Sequence, residues 1–298
     1  MTCPAATVKV STAAQLTAAL AAARPGEAIA LAQGTYAGNF TATAKATAAR
    51  PVFLCGAAGA VLDAGGIKEG YVLHLDGAAY WRVVGFTVRN GQKGVVLDHT
   101  QHTVLQGLTV ETTGDEAVHL RAGSSDNVVL GSSVRDTGRR RAKFGEGIYV
   151  GSAHSNWGQI SDGQPDRSDR NQLLDNHVSA TTAENVDLKE GTTGGLVQGN
   201  TFDGSALSGA DSWLDAKGDD WRIVGNTGAH SPADGFQNHV VADGWGQRNT
   251  FSGNAGRGLA TEDSEGVLVG LHPDADSVVT CTNTVSDASA PVTNGRCR

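Results

Sequence analysis

The chain has 298 residues, of which 40 are Gly and only 16 are aromatic (7 Phe, 5 Trp and 4 Tyr). Hydrophobic residues make up 39% and charged residues 18%, and no apolar run approaches the ~18 residues of a membrane span, which argues against a membrane protein or a disordered chain. The net charge of −8, from 23 basic and 31 acidic residues, argues against a nucleic-acid binder, because phosphate binding needs a basic surface.

The N-terminal region predicts a short strand followed by one helix. The strand begins at Val8, and Ser11 or Thr12 is a candidate cap for an Ala-rich helix over residues 13–23. Pro25-Gly26 ends the helix. We predict that this region, about residues 1–36, caps an open end of the fold, where a sheet edge would otherwise be exposed.

The middle of the chain contains a repeat of short apolar-alternating segments, each marked by a Gly or Asp. The markers are spaced by about 22 to 26 residues, with one longer step of about 44 that contains an insertion at about residues 139–170. A period of this length built from short strands is typical of a solenoid. The markers are Gly85, Gly107, Gly131, Asp175, Gly199 and Gly225.

Each period also holds a second apolar-alternating segment, such as residues 95–98, 118–121, 148–151 and 186–189. Several strands per coil, with Asn at the turns, predict an all-β protein, a right-handed parallel β-helix with an N-terminal capping α-helix. A leucine-rich horseshoe would need a helix in every repeat, and the pattern has none. We expect one domain over residues 1–298 and a monomer.

The four cysteines lie near the two ends of the chain. Their spacing does not suit a metal site, and the simplest of three possible pairings joins Cys3 to Cys55 and Cys281 to Cys297. Disulfides indicate an oxidising compartment, so we expect a secreted protein. The chain opens without the apolar segment of a signal peptide, as expected of a mature form with an added Met.

Strand alternation predicts which side chains face outward. If Val186 and Leu188 point inward, Asp187 and Lys189 point outward. The coils then stack Val96, His119, Tyr149, Asp187, Asp215 and Gln237 in one outward column, and Asp98, Arg121, Gly151, Lys189, Lys217 and His239 in the next. Because neighbouring coils lie ~4.8 Å apart, Asp187, Lys189, Asp215 and Lys217 form a charged square.

The square has two interpretations. Outward acids and lysines often form solvated pairs worth ~0.2 to 1 kcal/mol. Alternatively, Arg121, Lys189, Lys217 and His239 form a basic row that suits an extended acidic polymer. The insertion, which carries Arg140 and Trp157, is either a wall of that groove or a mobile loop. Candidate substrate-binding residues are His119, Tyr149, His239, Arg140 and Trp157.

Two stretches have a recognisable pattern: the opening run over residues 10–16, 24–29 and 31–36, and the segment over residues 184–191 followed by Gly199-Asn200-Thr201-Phe202. Both resemble the β-helical polysaccharide lyases, especially the alginate lyase and chondroitinase B family. The resemblance implies Lys189 as the base, Glu184 as a calcium ligand and Lys217 at the position of an Arg proton donor. Thr182 stands where the family has a second Glu ligand. Calcium-dependent pectate lyases are also similar, with Asp187, Asp211 and Asp215 as candidate ligands.

The predicted chemistry is β-elimination on a uronic-acid-containing polysaccharide. The reaction needs a cation at the substrate carboxylate, a base for the neighbouring proton and an acid for the leaving oxygen. Candidate catalytic residues are Lys189, Lys217 and Arg121. Candidate Ca²⁺ ligands, chosen for their hard oxygen atoms, are Glu184, Asp187, Asp215 and Glu190.

Two other functions fit the same residues. Asp187 and Asp215 on adjacent coils also suit a glycoside hydrolase, in which two carboxylates act as acid and base or nucleophile. A carbohydrate-binding β-helix without catalysis would present exposed aromatics, for which Tyr149, Trp157, Trp213 and Trp245 are the candidates.

Overall fold

The computed structural model describes residues 1–261, 264–273, 275–287 and 290–298. Over these residues the chain winds through about ten turns of a parallel β-helix with three long sheets, of 11, 10 and 9 strands. We call them the first, second and third sheets, in the order in which each coil passes through them. The all-β parallel solenoid expected from the repeat is confirmed, while its right-handedness stays a prediction.

The three sheets stack strands from successive coils in parallel register. The first sheet comprises Val8–Val10, Ala28–Leu31, Val52–Cys55, Trp81–Val84, Val104–Gln106, Val128–Leu130, Gln172–Leu174, Leu196–Gln198, Arg222–Val224, Thr250–Ser252 and Val278–Val279. The second comprises Gly34–Ala37, Ala60–Asp63, Thr87–Arg89, Thr109–Glu111, Ser133–Arg135, His177–Ser179, Thr201–Asp203, Thr227–Ala229, Ala255–Arg257 and Thr284–Val285. The third comprises Phe40–Ala42, Tyr71–Asp76, Lys93–Asp98, Val118–Arg121, Ile148–Val150, Val186–Leu188, Ser212–Ala216, Asp234–Asn238 and Val269–Leu271. A separate antiparallel pair joins Ala260–Thr261 to Ser264–Glu265.

The marker residues of the repeat lie at sharp turns between the first and second sheets. Each first apolar segment of a period is therefore two strands, one on either side of the marker. Gly85 has a φ of 88° and Asp175 a φ of 54°, values in the left-handed region that Gly and Asp tolerate better than most residues. Each full coil thus has three strands rather than the two segments visible in the sequence.

The predicted helix spans Ala13–Ala22, one residue shorter than expected, and Thr12 caps it by accepting a hydrogen bond from the Gln15 amide at 3.2 Å. Leu16 and Leu20 are buried on one face. The helix packs against the Phe40–Ala42 strand, and its role as a cap stays a prediction. The described residues hold one more α-helix, Trp157–Ile160, and two 3-10 helices, Ala142–Phe144 and His154–Asn156.

A ladder of buried Asn side chains runs inside one turn of the solenoid. Asn176, Asn200 and Asn226 each accept a hydrogen bond from the backbone amide one coil before, at 2.9 Å. Asn254 and Asn283 extend the ladder. Because buried amide groups must be paired, the ladder satisfies the backbone where the chain turns.

The insertion is anchored to the third-sheet side of the solenoid by two buried aspartates. Asp115 accepts hydrogen bonds from Arg140 at 2.6 Å and Arg141 at 2.7 Å. Asp166 accepts from the Ala122 amide at 3.0 Å and from Ser152 Oγ at 2.6 Å. Fixed in this way, the insertion is a wall of the site described below rather than a free loop.

Both predicted disulfides are present, Cys3–Cys55 and Cys281–Cys297. The described residues contain no helix that is long and apolar enough to cross a membrane.

Removing the two disulfides separately is expected to destabilise the protein by different amounts. The Cys3–Cys55 bridge spans 52 residues and the Cys281–Cys297 bridge spans 16, so loop entropy gives losses of about 4 and about 3 kcal/mol. Guanidinium unfolding of the two Cys→Ser pairs measures both values. A larger loss for the shorter loop would contradict the loop-entropy explanation.

Candidate active site

The third sheet confirms the predicted outward column. Its strand register pairs each residue with the next along the solenoid, in the order Val96, His119, Tyr149, Asp187, Asp215 and Gln237. The column is nevertheless buried, with Asp187 only 1% and Tyr149 only 7% exposed. The interpretation of the charged square as a set of solvated surface ion pairs is therefore wrong.

The charged square is a connected network of ion pairs. Asp187 lies between two ammonium groups, with Lys189 Nζ 2.7 Å from Oδ2 and Lys217 Nζ 2.9 Å from Oδ1. Lys217 Nζ is also 2.9 Å from Asp215 Oδ2 and 3.8 Å from a Glu184 carboxylate oxygen. Lys217 thus occupies the centre of three carboxylates.

The network fixes the charges of its central members. Burial alone would lower the pKa of Lys217, but Asp187, Asp215 and Glu184 outweigh it and hold that pKa well above the usual value. Burial alone would raise the pKa of Asp215, but Lys217 and His239 hold it well below its usual range. Lys217 is therefore charged and Asp215 ionised at neutral pH.

The predicted basic row exists in space but is neutralised. Arg121 donates to both oxygens of Asp98, at 2.7 Å from Nε and 3.1 Å from Nη2, and His239 Nδ1 lies 2.8 Å from Asp215 Oδ1. Each cation of the row pairs with a carboxylate because the intervening acids belong to the same stacked strands. The row is not a line of free positive charges.

A column of three glutamates runs along the same sheet beside the network. Glu116, Glu146 and Glu184 each stand two residues before an inward residue of a third-sheet strand. The backbone bonds Ala117 N to Glu146 O (3.1 Å) and Gly147 N to Glu184 O (3.0 Å) hold the three in adjacent coils. Sequence reasoning missed Glu116 and Glu146, although their constant offset from the strands was a usable signal.

Three carboxylates in this region can converge on one cation. Ligand oxygens of Glu146, Glu184 and Asp187 lie within 4.8 Å of one another, and Glu146 Oε2 is buried without a hydrogen-bond partner. Burial, together with nearby carboxylates, raises the pKa of Glu146 well above its usual value and that of Glu184 to about 7. The cluster therefore favours either bound protons or a bound cation.

Three of the predicted metal ligands, Asp215, Glu190 and Asp211, lie outside this trio. Asp215 is paired with Lys217 and His239. Glu190 is buried and accepts hydrogen bonds from the His154 amide at 2.6 Å and from His154 Nδ1 at 2.9 Å, so it holds the insertion. Asp211 is exposed.

A cleft of about 410 Å³ opens between the third sheet and the insertion. Of the predicted site residues, Tyr149, His119 and Arg121 line it. Lys189 and Lys217 lie beside it without lining it, and Arg140, Trp157 and His239 are also not among its lining residues. Besides Tyr149, the insertion residues on its wall are Arg141, Phe144, Glu146, Ser152, Asn156, Gln159 and Ile160.

Tyr149 joins the cleft to the charged network. Lys189 Nζ lies 5.2 Å from the centroid of the Tyr149 ring. Burial and the charge of Asp187 raise the pKa of Tyr149 well above its usual value, so its phenol keeps its proton. A protonated phenol thus lines the cleft, with the Lys189 ammonium beside its ring.

His119 has both ring nitrogens occupied within the protein. Nδ1 lies 2.9 Å from Lys93 Nζ, and Nε2 lies 2.9 Å from Gly151 O. These contacts leave no ring nitrogen for a sugar, so we do not retain His119 as a hydrogen-bonding substrate ligand.

Known structures match this chain over nearly its full length. An alginate lyase from Paenibacillus sp. str. FPU-7 is 34% identical, with 98% of each chain covered and a TM-score of 0.90. Two further lyases share the fold. Pectate lyase Pel9A is 16% identical, with a TM-score of 0.65, and the match covers 94% of this chain and 75% of that one. A rhamnogalacturonan lyase is 11% identical, with a TM-score of 0.69, and the match covers 91% of this chain and 77% of that one. No protein-family model and no curated protein sequence matches the chain.

The fold, the site and these likenesses define a parallel β-helix polysaccharide lyase. Within that class, the chain belongs to the family of the Paenibacillus alginate lyase.

Proposed function

We propose that this lyase cleaves a uronic-acid-containing polysaccharide by β-elimination, with Lys189 as the base and Tyr149 as the proton donor. The observation that carries the proposal is the contact of Lys189 with the ring of Tyr149, at the cleft of a chain that is 34% identical to an alginate lyase. Alginate is accordingly the first substrate to test.

The proposed reaction balances with these two residues. Lys189 first releases one ammonium proton to solvent, and the resulting amine takes the proton on the carbon next to the substrate carboxylate. The bond from the neighbouring carbon to the leaving glycosidic oxygen breaks and a carbon–carbon double bond forms, while Tyr149 Oη gives its proton to that oxygen. Lys189 then returns its proton through solvent, and Tyr149 regains one.

Arg121 is suited to bind the substrate carboxylate at the other side of Tyr149. Its Nε donates to Asp98 and its Nη2 donates to the Tyr71 hydroxyl. Its Nη1 has no hydrogen-bond partner among the described residues. Burial would lower the pKa of Arg121, but Asp98 outweighs it and raises that pKa, so the guanidinium stays charged. A cation held rigidly in this way stabilises the charge that develops on the carboxylate.

Lys217, which the resemblance places at the proton donor, is better suited to an electrostatic role. Its ammonium is held by three carboxylates and its pKa is raised well above the usual value. Its polar contacts are all with carboxylates, so its hydrogens point at Asp187, Asp215 and Glu184 rather than at a leaving oxygen. We therefore propose that Lys217 keeps Asp187 and Asp215 in place.

The residues present fit a Ca²⁺ ion. Glu146, Glu184 and Asp187 offer hard oxygen ligands, and the unpartnered Glu146 Oε2 would gain a partner. When bound, Ca²⁺ would supply positive charge that offsets the crowded carboxylates and the substrate carboxylate. The fold itself brings these three side chains together, with ligand oxygens within 4.8 Å of one another.

Calcium binding is expected to raise the unfolding temperature of the wild-type protein, because a ligand that binds the folded state stabilises it. Glu146→Gln removes one charged ligand and is expected to reduce that rise, whereas the exposed Glu69→Gln control keeps it. Differential scanning calorimetry with Ca²⁺ or a chelator measures the effect. An equal rise in all three proteins would show that Ca²⁺ acts elsewhere.

A glycoside hydrolase based on Asp187 and Asp215 is disfavoured. A general acid needs a raised pKa, whereas the pKa of Asp215 is lowered and Asp187 contacts two ammonium groups. A pure binding module is also disfavoured, since Trp213 is fully buried.

The proposal is tested on a panel of alginate, pectate, glucuronan and glycosaminoglycans by following ultraviolet absorbance. We expect an unsaturated product from at least one uronate polymer, alginate first. Absence of such a product from every acidic polymer would overturn the proposal. The two disulfides support secretion, which fits an enzyme that meets polymers outside the cell.

A further inference from the structure

Beside Tyr149, and lining the same cleft, lies a largely buried group of three polar side chains that the proposed reaction does not use. Lys93 Nζ donates to Glu116 Oε1 at 3.0 Å and to His119 Nδ1 at 2.9 Å. The three residues are 9%, 7% and 5% exposed, respectively. A buried ammonium shared by a carboxylate and an imidazole constrains the position of both.

The contacts of His119 define its protonation. An ammonium can only donate, so Nδ1 of His119 accepts from Lys93, and a carbonyl can only accept, so Nε2 donates to Gly151 O. The ring is therefore neutral, with its proton on Nε2. Burial lowers the pKa of His119 well below its usual value, and Lys93 and Arg121 lower it further.

The fixed imidazole packs against Tyr149. Their ring centroids are 4.4 Å apart and the ring planes cross at 89°, an edge-to-face geometry that aromatic rings prefer. Because Tyr149 follows His119 directly in the outward column, rotation of the imidazole would move against the phenol ring.

Gly151 is required for this arrangement. It has a φ of 84°, and a Cβ there would lie 2.5 Å from Thr192 Cγ2. A side chain at this position would displace the Gly151 carbonyl, which accepts the hydrogen bond from His119 Nε2.

We infer that Lys93 and Glu116 are positioning residues, which hold His119 in its neutral Nε2–H form so that His119 fixes the ring of Tyr149 at the cleft. This inference rests on the proposed function, in which Tyr149 is the proton donor. All three line the cleft, but the positioning role acts through Tyr149 and needs no contact with the substrate.

Removal of the ammonium gives the inference a distinctive signature. The charged or titratable groups facing His119 are Lys93, Glu116, Arg121, Tyr149 and Lys189. The Lys93→Met substitution removes the ammonium beside His119. Glu116 Oε1, which lies 3.6 Å from His119 Nδ1, then becomes the charged group nearest to the imidazole and favours its protonated form. We expect kcat to fall by up to about 100-fold at acidic pH, to recover as pH rises, and KM to change little.

A second substitution separates charge from packing. Adding Glu116→Gln to Lys93→Met removes the carboxylate that stabilises the imidazolium, and is expected to restore much of the lost kcat at acidic pH. The exposed Lys45→Met serves as the matched control and keeps wild-type kinetics. Equal losses in the single and double variants at every pH would overturn the inference and leave Lys93 a packing role.

The tautomer is also read directly, without substrate, from the imidazole ¹⁵N chemical shifts of His119. We expect a neutral Nε2–H ring from about pH 5 to 8, and in Lys93→Met a ring that titrates within that range. A wild-type ring that carries its proton on Nδ1, or that titrates normally, would overturn the inference. If every polymer stays uncleaved while the shifts are as expected, the proposed function fails and the hydrogen-bonded group stands.

Discussion

Replacement of Lys189 with Ala is expected to lower the rate of unsaturated product formation by about 10²- to 10⁴-fold, the contribution typical of a positioned general base. The protein is expected to fold, because Asp187 retains Lys217 Nζ at 2.9 Å after Lys189 is lost. Initial rates from ultraviolet absorbance measure the effect. Calorimetry of the same variant shows whether the fold is intact.

The control for this variant is Lys45→Ala, which removes an exposed lysine far along the chain from the site. It is expected to keep the wild-type rate. If the Lys189→Ala protein also kept that rate, Lys189 would have no part in the mechanism and another base would be needed.

Replacement of Lys217 with Met is expected to cost about 3 to 5 kcal/mol of unfolding free energy, because it leaves buried carboxylates without their partner. Asp187 and Asp215 are 1% and 4% exposed, and both lie 2.9 Å from Lys217 Nζ. Urea unfolding measures the loss. Lys217→Arg, which keeps the charge, is expected to lose less.

The same pair of variants separates an anchoring role from an acid role for Lys217. An anchor predicts that Lys217→Arg retains most of the activity along with the stability. A Lys217→Met protein as stable as the wild type would contradict the anchoring role, since the carboxylates would then need no cation.

The repeat carried most of the information on the fold. Alternation along strands and a nearly constant coil length were enough to predict that Asp187 stacks on Asp215 and His119 under Tyr149, as their register confirms. The two disulfides are the simplest of the three pairings that the cysteine positions allow, and the structure confirms them. The turn at each marker was less visible, because a left-handed residue such as Gly85 interrupts a strand without interrupting the apolar pattern.

The site was less predictable because its properties depend on side-chain directions and on the path of the insertion. A single sequence does not reveal that Asp98 neutralises Arg121 or that Asp115 and Asp166 hold the insertion over the sheet. Burial then changes the chemistry, as in Glu184, whose pKa rises to about 7. Glu146 was missed although it stands at the same offset from its third-sheet strand as Glu184.

The central claim is that the chain breaks glycosidic bonds by elimination rather than hydrolysis. Digestion of alginate in ¹⁸O-labelled water, followed by mass spectrometry of the earliest products, tests it most directly. Elimination predicts unsaturated ends that lack the mass of one water, with no solvent oxygen built in at the cleaved bond. Products that carry one solvent ¹⁸O for each bond cleaved and have no double bond would contradict it.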